Sequence, residues 1–269
     1  MAQAPAAGHA RCNAFDTHPM RRRAAPASKS AAMASSKLIM NAQGGVLTLS
    51  LNRPEKLNAI DHDLSRALLS AFVTANSDPS VRVVVVNGSG RAFCAGRDIS
   101  TEPTDEDLVL VQAVSKAIVA LTKPVIAAVH GWTVGAGLEW MLNADVVIAA
   151  SSARFKLPEA SIGVFVTGGL TATLPAYAGL ARAKALMLLG EEFSPTQAQA
   201  WGLVWRVVAP DQLDSESRRV AEQIASLRTE VVSQYKRVLN AVGVPSFSRA
   251  IELESEAQRA IGGQPASRG

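Results

Sequence analysis

A chain of 269 residues, 48% hydrophobic and 19% charged, is long enough for one large domain with a full core. Its two cysteines (Cys12, Cys94) and four histidines show neither a disulfide framework nor a metal-ligand spacing, so a reducing compartment and no bound metal are expected. No apolar run reaches the roughly 18 residues of a membrane span, and the formal charge of +4 resides in the first 36 residues, where five basic side chains stand against Asp16 alone and leave 22 of each sign in the remainder. A neutral body excludes charge-driven nucleic-acid binding by the folded domain.

Residues 1–36, rich in Ala, Pro, Ser and Arg and without apolar periodicity, read as a disordered basic leader. Three readings stand for it: an extension upstream of a later start (Met20, Met33 and Met40 follow), an organellar transit peptide, or a basic functional arm. The expected location is cytoplasmic, or an organellar matrix if the leader is a transit peptide.

Four apolar runs then predict strands, "GVLTLSLNR" (45–53), "VRVVVVNG" (81–88), "PVIAAVHG" (124–131) and "DVVIAA" (145–150). The first alternates as a half-buried strand does; the next two are nearly continuous, as in strands covered on both faces. Between them "DHDLSRALLSAFVTANS" starts a helix on Asp61, and "DEDLVLVQAVSKAIVALT" makes another that stops before Lys123–Pro124. Strand–helix alternation predicts an α/β core over 37–190. Beyond it the pattern is helical to 269: a helix over 171–190 stopped by Gly190, one capped by Ser194 with Pro195 first and Gly202 after, then helical sequence over 213–243 and 246–263.

Two stretches carry the chemistry. In "VHGWTVGAGLEWMLNADVV" a buried strand runs through Gly135-Ala136-Gly137 into an apolar helix holding one carboxylate, Glu139. The third glycine of a dinucleotide fingerprint is absent and no GK[ST] follows, so a phosphate loop is excluded. What remains is a helix start with unpaired N–H groups and small residues that let a ligand oxygen approach. "VVVVNGSGRAFCAGRDI" has the same build, ending in Phe93-Cys94-Ala95-Gly96, and "ARFKLPEASIGV" sets Pro158-Glu159 among apolar residues. Donors from two turns make an oxyanion hole. Read alone, Glu139 is as easily a surface or ion-paired side chain, and Glu159 as easily a turn residue. Asp145 is expected to cap or pair, His130 to end a core strand, Trp132 and Trp140 to pack, and Cys94 to be inert.

Taken together, "NRPEKLNAI", "GRAFCAGRDI", "KPVIAAVHGWTVGAGLEWMLNADVVIAA", "ARFKLPEASIGV" and "QAQAWGLVWRVV" resemble, in order and from about residue 38 to 260, the enoyl-CoA hydratase/isomerase (crotonase) family. The resemblance implies a crotonase-like spiral of ββα units with a helical C-terminal region used in trimerisation, hence a homotrimer or hexamer. It implies an acyl-CoA substrate, no membrane or nucleic-acid partner, and no separate cofactor, coenzyme A being part of the substrate. Matching positions place the two thioester-binding N–H groups on Ala95 and Ala136, and the hydratase glutamates on Glu139 and Glu159. Lys56, Leu57, Ala95, Gly96, Arg97, Asp98, Ile99, Ala136 and Thr167 are the matching substrate-binding positions, with Arg97 meeting either a phosphate or solvent.

The resemblance thus implies an enoyl-CoA hydratase in which Glu139 activates water, Glu159 protonates the α-carbon and two N–H groups hold the oxyanion. The alternatives are an enoyl-CoA isomerase or another crotonase-type reaction, and a non-catalytic acyl-CoA or RNA binder. Three departures stand out. Val166 and Thr167 fall where hydratases carry proline and a glycine-rich turn, Leu157 replaces a residue that is often polar, and "ESEAQRAIGGQPASRG" lacks the family's usual closing segment.

Overall fold

Residues 37–262 are described by the structure, a computed structural model; the leader and the final residues lie outside the described residues. A hairpin of β1 (Leu38–Gln43) and β2 (Val46–Leu51) leads into α1 (His62–Ser77), whose first turn is capped by Asp61 accepting from Leu64 N–H at 2.9 Å. Three ββα turns follow. The first is β3 (Val83–Gly88), β4 (Ala92–Cys94) and α2 (Asp105–Ala120). The second is β5 (Val125–Val129), β6 (Trp132–Val134) and α3 (Ala136–Leu142). The third is β7 (Val146–Ala150), β8 (Arg154–Lys156) and α4 (Glu159–Ile162).

Each turn gives its long strand to one sheet and its short strand to another. The larger sheet has the order β1-β2-β3-β5-β7 and the smaller β4-β6-β8; all pairs but β1–β2 are parallel. The long strands are apolar on both faces because both are covered. Val84, Val86 and Ala127 face the inner core with Phe72 and Trp140, whereas Val83, Val85, Ile126 and Ile148 pack under a later helix through Leu213, Val220 and Ala221. Each such Val or Ile contributes about 1.5–3 kcal/mol by burial. That packing fixes the strand ends from which the site residues project.

Sequence periodicity missed the three-residue strands β4, β6 and β8, too short to show a period. It also read 171–190 as one helix. The structure has α5 (Leu170–Ala178) and α6 (Leu180–Leu189), broken at Gly179, whose φ of 82° and ψ of 150° leave the helical region. After α7 (Pro195–Ala200), closed into a capping box by Ser194 and Gln197, the C-terminal region supplies a strand the sequence did not suggest. This is β9 (Arg206–Val208), parallel to β7 at the sheet edge. α8 (Leu213–Ala225) and α9 (Thr229–Gly243) divide the stretch 213–243, and α10 (Phe247–Gly262) ends the described chain. Among the described residues no helix is long and apolar enough to cross a membrane.

Candidate active site

Because β4 and β6 are parallel neighbours, pairing Cys94 with Thr133, the turns that follow them emerge side by side. Gly96 (φ 87°) approaches the second turn so closely that a Cβ there would lie 3.0 Å from Val134 O and 3.8 Å from Ala136 N. Gly135, at φ 53° and ψ −126°, holds a conformation that only glycine adopts readily, and α3 starts directly after it. Ala136 N–H, first in α3, has no acceptor among the described residues.

The N–H of its expected companion, Ala95, is not free. Ala95 N–H donates to Leu57 O at 3.0 Å, so that donor is spent inside the fold. Two residues on, Ile60 bridges Arg97 in parallel fashion, bonding Gly96 O and Asp98 N–H at 2.8 Å each. A residue bracketed in this way turns its own N–H to the opposite side. Arg97 N–H has no acceptor among the described residues, and Arg97 lines the same cleft as Ala136. The free pair is therefore Arg97 and Ala136.

Glu139 and Glu159, 20 residues apart in sequence, line one cleft of about 300 Å³ walled by Leu108, Val111, Val134, Ile162, Val164 and Phe165. Glu139, on the first turn of α3, is 1% exposed. Its Oε1 accepts from Thr167 N–H at 3.1 Å and its Oε2 has no partner. Burial pushes its carboxyl well above the ordinary range, with further push from the charges of Glu254 and Glu159, while the Thr167 and Gly168 amides oppose the shift. Glu159 opens α4 after Pro158; its Oε2 is also buried and unpartnered, and burial raises it from 4.5 to about 7. Two glycines make room for these carboxylates. A Cβ on Gly135 would sit 2.6 Å from Glu159 Oε1, and one on Gly168 2.3 Å from Glu139 Oε2.

Of the sequence-predicted binding residues, Ala95, Gly96, Arg97, Ile99, Ala136 and Thr167 line the cleft. Lys56, Leu57 and Asp98 do not. Lys56 is exposed on a single 3₁₀ turn, Pro54–Lys56, and Leu57, at φ 52°, offers the site only the carbonyl that binds Ala95. Asp98 is turned to Arg53 Nη2 at 2.8 Å and to Ser100, and these partners hold its carboxyl well below the usual range. The Arg97 guanidinium donates to Asp98 O and Thr101 O, both at 2.9 Å, so it is bound to its own loop.

Thr167 keeps the amide donor expected of that position, but spends it on Glu139. Cys94 is buried and its thiol is pushed up to about 12, as an inert core side chain requires. Trp140 is core, its Nε1–H donating to Val111 O, and Asp145 pairs with Lys236 at 2.8 Å. Sequence reasoning missed Glu254 and Gln258 of α10, which come to the same corner of the molecule; Gln258 lines the cleft itself. Their signal was phase, because Phe247, Ala250, Ile251, Glu254 and Ser255 lie on one buried helical face. Among the described residues no group of three His, Cys, Asp or Glu side chains is placed to hold a metal ion.

A ββα spiral with two free amides and two unneutralised carboxylates around an apolar cleft defines a protein suited to stabilising charge on an acyl oxygen while moving protons nearby. Residues 41–266 match the enoyl-CoA hydratase/isomerase family, and the chain belongs to it. It is 34% identical to the 1,2-epoxyphenylacetyl-CoA isomerase of Escherichia coli K12, over 84% of this chain and 90% of that one. It is also 34% identical to a crotonyl-CoA hydratase of Syntrophomonas wolfei, over 84% and 89% of the two chains. The crystal structure of an enoyl-CoA hydratase from Mycobacterium avium subsp. paratuberculosis superposes with a TM-score of 0.81 at 31% identity, covering 85% of this chain and 91% of that one.

Proposed function

We propose that the protein is an enoyl-CoA hydratase, adding water to a trans-2-enoyl thioester to give the 3-hydroxyacyl thioester. The observation that carries this reading is the pair of buried carboxylates, Glu139 and Glu159, facing one cleft with no ion pair to a cation among the described residues. A chain does not hold two such groups for stability.

In the reaction the thioester oxygen accepts from Arg97 N–H and Ala136 N–H, which draws electron density from the β-carbon. The reactive form is the one in which Glu159 holds the pair's proton and Glu139 is ionised, the form the Thr167 amide favours; Glu139 then takes a proton as the water oxygen bonds to the β-carbon. The double-bond electrons move to the α-carbon and carbonyl oxygen, and the two amides hold that charge. Glu159, protonated, delivers its proton to the α-carbon; the pair then exchanges its protons for the next turnover. One proton shared between two crowded carboxyls suits this sequence, and their ionisation belongs to the pair. Coenzyme A enters as part of the substrate. Exposed Leu180, Leu188 and Leu189 on α6 and Tyr235, Leu239 and Val242 on α9 support self-association as a trimer or hexamer, which light scattering on the purified protein reads directly.

The test is loss of enoyl-thioester ultraviolet absorbance with crotonyl-CoA and a longer trans-2-enoyl-CoA. Wild type turns over at least one of them, and Glu139→Gln loses about 10³-fold in kcat. Full activity in Glu139→Gln would remove the assignment. The isomerase reading is favoured by one observation, that the Thr167 amide is committed to Glu139 rather than open to a water. Double-bond migration in a 3-enoyl-CoA that survives Glu139→Gln but not Glu159→Gln would select it.

A further inference from the structure

The segment from Phe165 to Thr171 runs beside the cleft with four alternate amides each held by a side chain. Phe165 N–H donates to Gln258 Oε1 at 2.7 Å, Thr167 N–H to Glu139, Gly169 N–H to Glu254 Oε2 at 2.7 Å, and Thr171 N–H to Glu254 Oε1 at 2.8 Å. Three of these four bonds come from α10. Thr171 Oγ1 adds a third donor to Glu254 at 2.7 Å, so three donors converge on two oxygens, the pattern an ionised carboxylate accepts. α5 has no cap of its own, since its N-cap residue is Gly169; Glu254 supplies it from 85 residues away.

The grip is tight on both sides. A Cβ on Gly169 would strike the Phe247 ring at 2.2 Å, and one on Gly168 would lie 2.3 Å from Glu139 Oε2 and 2.7 Å from Ser115 Oγ. The turn at 167–169 is thus clamped between Glu139 and α10, which is itself tied to α2 by Gln112 Nε2 donating to Ser255 Oγ at 2.7 Å. A shift of α10 has no slack to disappear into before it reaches the amide on Glu139.

We propose that Glu254 is a positioning residue for the reaction: by holding the start of α5 it fixes the turn whose Thr167 amide orients Glu139. This rests on the reading of Glu139 as the base. Glu254 touches no substrate; it acts through the turn and through its charge. The titratable groups facing Glu139 are Glu254 from α10 and Glu159 from α4. α2 presents Ser115, which does not titrate, and the first turn of α5 holds no titratable side chain. Burial pushes the Glu254 carboxyl above the ordinary range and its bonds from Thr171 and Gly169 oppose that; once ionised, at 1% exposure, its poorly screened charge disfavours ionisation of Glu139.

The experiment is the pH–rate profile of wild type, Glu254→Gln and the exposed control Glu252→Gln with crotonyl-CoA, alongside amide hydrogen exchange of residues 163–174. Glu254→Gln keeps one acceptor oxygen and loses the charge. Its kcat falls about tenfold or more with KM within about threefold, the signature of altered chemistry rather than binding. The acidic limb moves to lower pH, because Glu139 then ionises more easily. Exchange quickens in 163–174 while the sheet strands stay protected, and Glu252→Gln changes none of these. An unchanged profile and plateau in Glu254→Gln overturns the proposal, as does exchange that rises throughout the molecule in step with the loss of kcat. Should wild type turn over no enoyl-CoA, the hydratase reading fails by itself. Infrared titration of the Glu139 carboxyl, assigned with Glu139→Gln, then decides the matter: a lower ionisation pH in Glu254→Gln supports the proposal and an unmoved one ends it.

Discussion

The helix α3 separates two carboxylates whose surroundings could hardly differ more. Asp145, just beyond its C-terminal end, accepts from Lys236 Nζ at 2.8 Å and from Val125 N–H at 2.7 Å, and Lys236 also donates to Ile118 O and Lys123 O. Glu139, inside the helix, has one amide donor on one oxygen, nothing on the other, and two further carboxylates as its charged neighbours. Burial raises both carboxyls above their ordinary range. At Asp145 a cation opposes that push; at Glu139 other anions add to it. A compensated buried charge joins elements together, and an uncompensated one is held ready to exchange a proton.

The comparison predicts opposite consequences of removing a partner, the larger at Asp145. Lys236→Met leaves that carboxylate, its side chain 20% exposed, without its cation and the Ile118 and Lys123 carbonyls without their donor, and costs about 3 kcal/mol of unfolding free energy. Urea unfolding measures it, and Asp145→Asn in the same chain recovers most of the loss. A Lys236→Met protein as stable as wild type would show that the pair does not join α9 to the sheet.

Glu159→Gln runs the other way. Its folded-state value, about 7 against an ordinary 4.5, lies above the unfolded one, so the wild-type carboxyl favours folding when protonated and loses that contribution as pH rises through about 7. The variant therefore matches wild type near about pH 4 and is the more stable above about pH 7, by up to about 3 kcal/mol at 1.36 kcal/mol per pH unit. Thermal unfolding at both pH values, beside loss of turnover, checks the sign. A variant less stable at high pH would mean that Glu159 is compensated as Asp145 is, and the contrast would fail.

Much of this is legible in the sequence. Continuous Val/Ile runs announced doubly covered strands, and Asp61 and Ser194 announced helix starts that the structure repeats bond for bond. Glu139 and Glu159 were singled out by the family resemblance, and the spiral brings them to one cleft. What escaped depended on single bonds. Position matching put an oxyanion donor on Ala95 because it cannot see that Leu57, held at positive φ, accepts that very N–H. Glu254 hid in "IELESEAQ" among Glu252 and Glu256, alike in chemistry; only the packing of α10 turns it inward while its neighbours face solvent.

The smallest expected effect is the most discriminating for the oxyanion pair. Arg97 enters the proposed reaction through its backbone, and its guanidinium is occupied by the carbonyls of Asp98 and Thr101. Arg97→Ala keeps the N–H that Ile60 orients and removes only a brace within an exposed loop. Unfolding free energy should therefore fall by no more than about 0.5 kcal/mol, the scale of surface substitutions. The kcat should stay within about twofold of wild type and KM within about threefold, since neither transition-state nor ground-state contacts are lost. Steady-state kinetics at two salt concentrations separate the outcomes. A KM raised more than about tenfold, and raised less at high salt, would mean that the guanidinium leaves its loop to meet a phosphate of the thioester. A fall in kcat alone would mean that the brace positions the amide, which would make the Arg97 side chain a counterpart of Glu254 on the opposite wall of the cleft.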